Sequence, residues 1–195
     1  MAILMRDYPN WGSNGGVTFS GGEPLLHHEF LDEVLQRCRK EQMHTAIETS
    51  AFTSPEIFKK IFRNLNFAFI DVKNMDEEKH IWGTGVSNQP ILRNISTLAH
   101  ADWWNGRLVL RQPTIHGYND STENAKRLIE FMNENGLFEI NLLRFHRMGG
   151  TKWEQLGKVY EYNDKGDMTE ERMLELQELY LSNDIACYIG ENTPF

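Results

Sequence analysis

Two rhythms of hydrophobic and polar residues alternate along this chain. Short apolar or β-branched runs at Val17–Phe19, His44–Ser50, Phe67–Lys73, Arg107–Thr114, Phe138–Phe145 and Ala186–Ile189 predict strands, the first of them buried and closed by glycine pairs. Between them, apolar residues recur at helical spacing. Phe30, Leu31, Val34, Leu35 and Cys38 share one face of a helix over Glu29–Lys40, and Ile57, Phe58, Ile61 and Phe62 form a second stripe. Ile91, Leu92, Ile95 and Leu98 face inward from Ile91–Ala99, and Leu128, Ile129 and Met132 from a helix that stops at Gly136. A short helical turn is expected over Asp76–Trp82 and a covering helix over Glu170–Leu181.

Local punctuation agrees with these limits. Ser54 and Pro55 make an N-cap and first-turn pair, and Asp120 with Glu123 reads as a capping box. Arg147–Met168 is too polar and glycine-rich to be regular throughout, and the opening residues read as the end of a helix running into a loop. Strand and helix alternate with connections too long for hairpins, which predicts an α/β fold with a parallel sheet and right-handed crossovers. No linker or repeat divides the chain, so residues 1–195 are read as one domain.

Composition narrows the class. With 40% hydrophobic and 25% charged residues the chain has the make-up of an ordinary globular protein. A net charge of −8 argues against nucleic acid or an anionic membrane as partner. Neither a membrane-length apolar run nor a signal-peptide pattern is found, which points to the cytoplasm. The two cysteines, Cys38 and Cys187, match no metal-ligand spacing and read as small buried hydrophobes.

The chemistry collects at the strand ends. Five successive strands finish in polar or bare-backbone residues: Gly21-Gly22-Glu23, Glu48-Thr49-Ser50, Asp71 with Lys73, Arg111, and His146. In a parallel α/β sheet these ends share the rim where ligands bind. Carboxylates at Glu23, Glu48 and Asp71 suit an ammonium group or ribose hydroxyls, whereas Lys73 and Arg111 suit a carboxylate. Such a mixed ring fits a zwitterion better than a phosphate, and the phosphate-loop and dinucleotide glycine signatures are both missing.

Gly15–Leu26, Glu48–Phe52, Asp71-Val72-Lys73, Gly85-Val86-Ser87-Asn88, Arg111 and Leu142–Trp153 together resemble the radical S-adenosylmethionine activating enzymes of glycyl radical enzymes, of the pyruvate formate-lyase activating type. The Gly-Gly-Glu-Pro turn is shared by many radical S-adenosylmethionine proteins; the segments around Asp71 and His146 are more specific. The resemblance implies a partial TIM-type barrel of parallel strands with outer helices. It implies that Gly21, Gly22 and Glu23 hold the methionyl amine of S-adenosylmethionine, largely through backbone oxygens. Glu48 and Thr49 would stand near the methionyl group, and Asp71 by a monovalent cation site. Lys73, Arg111 and His146 would contact the carboxylate, ribose or adenine. The implied reaction is reductive cleavage to a 5′-deoxyadenosyl radical that takes a glycine hydrogen from a partner glycyl radical enzyme, with flavodoxin or ferredoxin as electron donor.

One departure is large. The family holds a [4Fe–4S] cluster with a Cys-x-x-x-Cys-x-x-Cys loop after its first strand, and these residues contain no such loop. The expectation is a truncated core whose first strand and cluster loop lie in a longer protein, inactive by itself, with the edge of Val17–Phe19 left to pair with another molecule or to be covered by the N-terminal residues. Two other classes compete with this reading. One is a non-catalytic module of the same fold that binds S-adenosylmethionine or a protein. The other is an unrelated α/β enzyme using Glu23, Asp71 and His146 for acid–base work.

Overall fold

The computed structural model describes residues 1–12, 15–145, 157 and 167–190. In chain order these hold α1 (Ala2–Asp7), β1 (Gly16–Phe19), α2 (His28–Lys40), β2 (His44–Thr49), α3 (Pro55–Phe62), β3 (Phe67–Asp71), α4 (Glu77–Thr84), α5 (Gln89–Ala99), β4 (Arg107–Thr114), α6 (Thr122–Glu134), β5 (Glu139–Arg144), α7 (Glu170–Leu181) and β6 (Ala186–Ile189). The strands follow the order β1-β2-β3-β4-β5-β6, the simple progression that right-handed helical crossovers produce. Pairing is parallel between β1 and β2, β2 and β3, and β5 and β6. The α/β fold is therefore the expected one. The described residues resolve into two compact units, one drawn from Met1–Val72 and Ser87–Leu110, the other from Lys73–Val86 and the described residues from Arg111 on.

In the first unit, β3 is buried through Phe67, Ala68, Phe69 and Ile70, as its unbroken apolar run requires. Phe67 and Phe69 meet edge to face at 4.8 Å, and Phe58 stacks on Phe62 at 3.9 Å. Ser54 Oγ caps α3 by accepting from Ile57 N, and Pro55 opens its first turn. Two expectations fail here. Phe30 is 68% exposed, while Asp32 on the same helix is buried, its carboxylate reached by Lys60 at 2.9 Å and by Gln36 at 3.0 Å. The stripe of α2 thus turns toward Leu31, Leu35 and Cys38, and a paired acid takes the place assigned to the aromatic ring. Nor is β1 buried. Among the described residues it pairs with β2 alone, at the edge of the sheet, and Gly16 and Thr18 are exposed and Val17 and Phe19 half-buried.

In the second unit, Leu128, Met132, Ile140, Leu142 and Tyr180 form the fully buried centre. The cap of α6 is Ser121, whose Oγ accepts from Asn124 N at 3.1 Å, one residue later than the capping box predicted. Asp120 closes the preceding loop instead, accepting from Gly117 N at 2.9 Å and lying 3.0 Å from His116 Nδ1. Short-range competition for an Asp acceptor moved the boundary. Tyr118, in the loop after β4, is 7% exposed and packs on Gly83 and Trp82. Among the described residues no helix is long and apolar enough to cross a membrane.

Candidate functional site

The C-terminal ends of β1 and β2 are tied together in the first unit, and Glu23 makes the tie. Its φ of −127° leaves the backbone extended after the glycine turn, so the carboxylate reaches β2 while the chain proceeds into a 3-10 turn at Pro24–His27. Oε1 accepts from Thr49 Oγ1 at 2.5 Å and from Leu25 N at 3.1 Å. Oε2 accepts from Ser50 N at 2.8 Å and from Ser50 Oγ at 2.5 Å. Four donors saturate this carboxylate. It is a strut between two strand ends, and its acceptor capacity is already used within the protein.

The glycines before it are required by conformation. Gly21 and Gly22 have φ of +83° and +53°, in the region L side chains avoid, and a Cβ on either would meet nothing within 4 Å. Open space therefore lies in front of an exposed backbone turn whose carbonyl oxygens are available in type to an ammonium group.

The end of β2 is secured from its other side. Thr49 Oγ1 accepts from Ala51 N at 3.0 Å, and Ala51 takes the left-handed conformation at φ +56° although it carries a methyl group and is buried. Asn94 of α5 holds this turn, donating through Nδ2 to Ala51 O at 2.9 Å and to Thr53 O at 3.0 Å. Glu48 lies on β2 opposite Phe69 in register, and Asp71 closes β3; both are half-buried.

Lys73 and Arg111 belong to the second unit and are half-buried there. A group of amides fixes the backbone that carries Lys73. Asn119, 1% exposed, donates through Nδ2 to Lys73 O at 2.6 Å and to Pro113 O at 2.8 Å, and accepts from Ile115 N at 2.7 Å. Asn124 accepts from Met75 N at 2.9 Å, and Asn74 donates to Tyr118 O at 2.8 Å. Nearby, His80 donates from Nδ1 to Val86 O at 2.7 Å, setting the Gly85-Val86 turn; burial, and then the charge of Lys73, hold its pKa below the usual imidazole range against that hydrogen bond. His146, with residues 147–156 and 158–166 of the loop that follows it, lies outside the described residues.

The structure thus brings Gly21, Gly22, Glu23, Thr49 and Ser50 together, with Asn94 as a member the sequence reading did not include. Asn94 left a trace in sequence, an amide inside the apolar stripe of Ile91 and Ile95.

In the first unit the exposed turn at Gly21 and Gly22 offers backbone oxygens of the type an ammonium group takes, and Glu48 and Asp71 are carboxylates of the type ribose hydroxyls take. An iron–sulfur cluster does not fit the residues of this chain. Such clusters take several thiolates, whereas Cys38 and Cys187 are the two cysteines available and both are buried. Burial pushes the Cys187 thiol up to about 12 and raises that of Cys38 as well, so neither offers a thiolate at neutral pH. Among the described residues no group of three or more His, Cys, Asp or Glu side chains is placed to hold a metal ion.

Comparison with known proteins places these features in context. The model of the Radical SAM superfamily matches residues 2–131. The 4-hydroxyphenylacetate decarboxylase activating enzyme of Clostridium scatologenes is 66% identical over 195 residues, covering 100% of this chain and 62% of the relative. The enzyme of that name from Clostridioides difficile strain CD196 is 62% identical, covering 99% and 61%. The chain therefore spans about three-fifths of the length of these curated relatives. Among solved structures, a domain of pyruvate-formate lyase-activating enzyme from Bacteroides vulgatus superposes with a TM-score of 0.75 at 32% identity, covering 91% of this chain and 99% of that one.

Proposed function

Because the chain belongs to the Radical SAM superfamily, we propose that it is the S-adenosylmethionine-binding part of an activating enzyme for a glycyl radical enzyme. The observation that carries this reading is the glycine turn at Gly21–Gly22 held open against the end of β2 by the saturated Glu23 carboxylate. Backbone oxygens of that turn receive the methionyl amine, and Glu23 orients them. Glu48 and Thr49 lie along the methionyl group, Asp71 by a monovalent cation, and Lys73, Arg111 and His146 meet the carboxylate, ribose or adenine, as the motif resemblance implies. With a cluster held by other polypeptide, bound S-adenosylmethionine would supply the radical chemistry by which activating enzymes of this kind take a hydrogen atom from a partner's glycine, while the residues named here hold and orient it.

The partner proposed is a glycyl radical decarboxylase of arylacetates, because two relatives above 60% identity are named for activating 4-hydroxyphenylacetate decarboxylase. A flavodoxin or ferredoxin in the cytoplasm supplies the electron, and neither nucleic acid nor membrane is a partner. The cluster thiolates come from polypeptide other than these 195 residues, since Cys38 and Cys187 are the cysteines present and both are buried. By itself, then, this chain binds S-adenosylmethionine weakly and is inactive.

The test takes the coding sequence upstream of Met1 into the expressed protein, reconstitutes it with iron and sulfide without oxygen, and supplies dithionite, S-adenosylmethionine and the decarboxylase. Cleavage to 5′-deoxyadenosine with a glycyl radical signal in the decarboxylase is expected. An upstream sequence that encodes no three-cysteine loop, or a loaded protein that never cleaves S-adenosylmethionine, overturns the reading.

A further inference from the structure

At the opposite ends of the same strands, in the first unit, lies a cleft of about 340 Å³ between the starts of β2 and β3 and the Trp103–Asn105 segment before β4. Its walls carry Arg39, Arg63 and His44, amides including Asn64, and two tryptophans, and no Asp or Glu. In a chain with 28 acidic and 20 basic residues, a carboxylate-free wall is not the background composition.

The aromatic part is built. Trp104 is pinned by its Nε1, which donates to Leu65 O at 2.7 Å, and Gly106 is needed there because a Cβ would lie 2.4 Å from the Trp104 ring and 2.6 Å from Asn66 O. That leaves Trp103 half-buried, with Lys59 Nζ 5.4 Å and Arg63 Cζ 5.9 Å from its ring centroid. Gln42 on the rim holds φ +55°, a conformation a non-glycine residue takes at a cost.

The cleft does not end there. Arg39, Arg63 and Asn64 also line a second hollow of about 480 Å³ between α2 and α3, which adds Lys59 and Lys60. Of the acids in that hollow, Asp32 is engaged by Lys60 and Gln36, and Glu56 stands at the start of α3. A run of cations over two hollows that share Arg39, Arg63 and Asn64 is longer than one small anion needs, and it suits carboxylates spaced along a chain.

We propose that this groove docks an acidic segment of a partner protein, seated over Trp103 and between Arg39 and Arg63. The surface lies at the N-terminal ends of β2 and β3, away from the Gly21–Gly22 turn, and does not depend on the ligand proposed there.

The probe is fluorescein-labelled hexaglutamate, titrated with the 195-residue chain by anisotropy at about 0.05 and about 0.5 M salt. Saturable binding that weakens with salt is expected, against the repulsion of a protein of charge −8. R39E together with R63E should weaken it about tenfold or more, W103A should weaken it while W103F restores part, and K126E on α6 should leave it unchanged. Arg63→Gln, which keeps the stem, serves if the double reversal lowers the urea midpoint. No saturable binding, an equal loss with K126E, or displacement of the peptide by inorganic phosphate as completely as by unlabelled hexaglutamate each overturns the proposal.

Discussion

The carboxylate of Glu23 accepts from both the amide and the hydroxyl of Ser50, at 2.8 and 2.5 Å, so one side chain closes the end of β1 onto the end of β2. A bare glycine turn would otherwise be the least restrained backbone of the unit. Fixing it beforehand means that a ligand gripped by its carbonyls need not supply the ordering.

Glu23→Gln tests this directly. The amide keeps the shape but puts an N–H₂ where one oxygen accepted two donors, leaving a donor facing donors. A loss on the order of 1–3 kcal/mol is expected from the lowered urea midpoint. Binding of S-adenosylmethionine should fall further than the loss of stability accounts for. A variant with unchanged midpoint and binding would show the tie to be incidental.

Much of this was legible before any coordinates. The apolar run of Phe67–Ile70 located β3 because a strand buried in a parallel sheet must be apolar on both faces, and Ser54-Pro55 located α3 because a cap and a fixed φ act locally. The glycine turn and Thr49 were found as a pair for the same reason: each ends a strand. What escaped was set by partners distant in sequence. Asp32 is buried because Lys60 reaches it, and Asn94 serves a turn at Ala51. The displacement of the cap from Asp120 to Ser121 is a contest between two nearby acceptors that spacing alone does not decide.

Asn119 should be among the least replaceable residues of the second unit. Its side chain serves two carbonyls and one amide, including Lys73 O, with no water to substitute at 1% exposure. Asn119→Ala is expected to cost about 3 kcal/mol in urea unfolding. Asn119→Asp should be as harmful at neutral pH, since a carboxylate cannot donate to those carbonyls, and partly recover in acid once the protonated form can.

Acid should weaken the second unit through His80. Its folded pKa lies below the unfolded value because burial disfavours the cation and Lys73 adds repulsion, outweighing the hydrogen bond to Val86. Above about pH 6.5 the imidazole is neutral in both states and contributes no pH dependence. As pH falls below that value the unfolded chain takes up a proton that the folded chain refuses, so stability drops until the folded pKa is reached. Urea midpoints at successive pH values should show this slope, and His80→Gln should flatten it. An unchanged slope in the variant removes His80 as its source.

Gly83 is a steric requirement within α4. A Cβ there would sit 2.6 Å from the Tyr118 hydroxyl and 2.7 and 2.8 Å from two of its ring carbons, and that side chain is buried. Gly83→Ala, which by helix propensity alone would be favourable, should instead destabilise by about 1–3 kcal/mol. A pair with Tyr118→Phe relieves only the contact at the hydroxyl, so part of the loss should persist in thermal melts of the double variant.

The two thiols give the last prediction. Cys38 is 0% and Cys187 5% exposed, and desolvation raises both pKa values, that of Cys187 to about 12. The reactive species is the thiolate, so at neutral pH neither sulfur should react with Ellman's reagent in the folded chain. Full titration of two thiols should appear on adding guanidinium. Iron and sulfide reconstitution of this chain alone should likewise leave both buried sulfurs without iron. A native-state cluster absorbance retained after desalting would require one of these strands or helices to open and expose its cysteine, and Cys38→Ser with Cys187→Ser would then abolish it. Absence of that absorbance, with both thiols still titratable after unfolding, is the outcome the burial dictates.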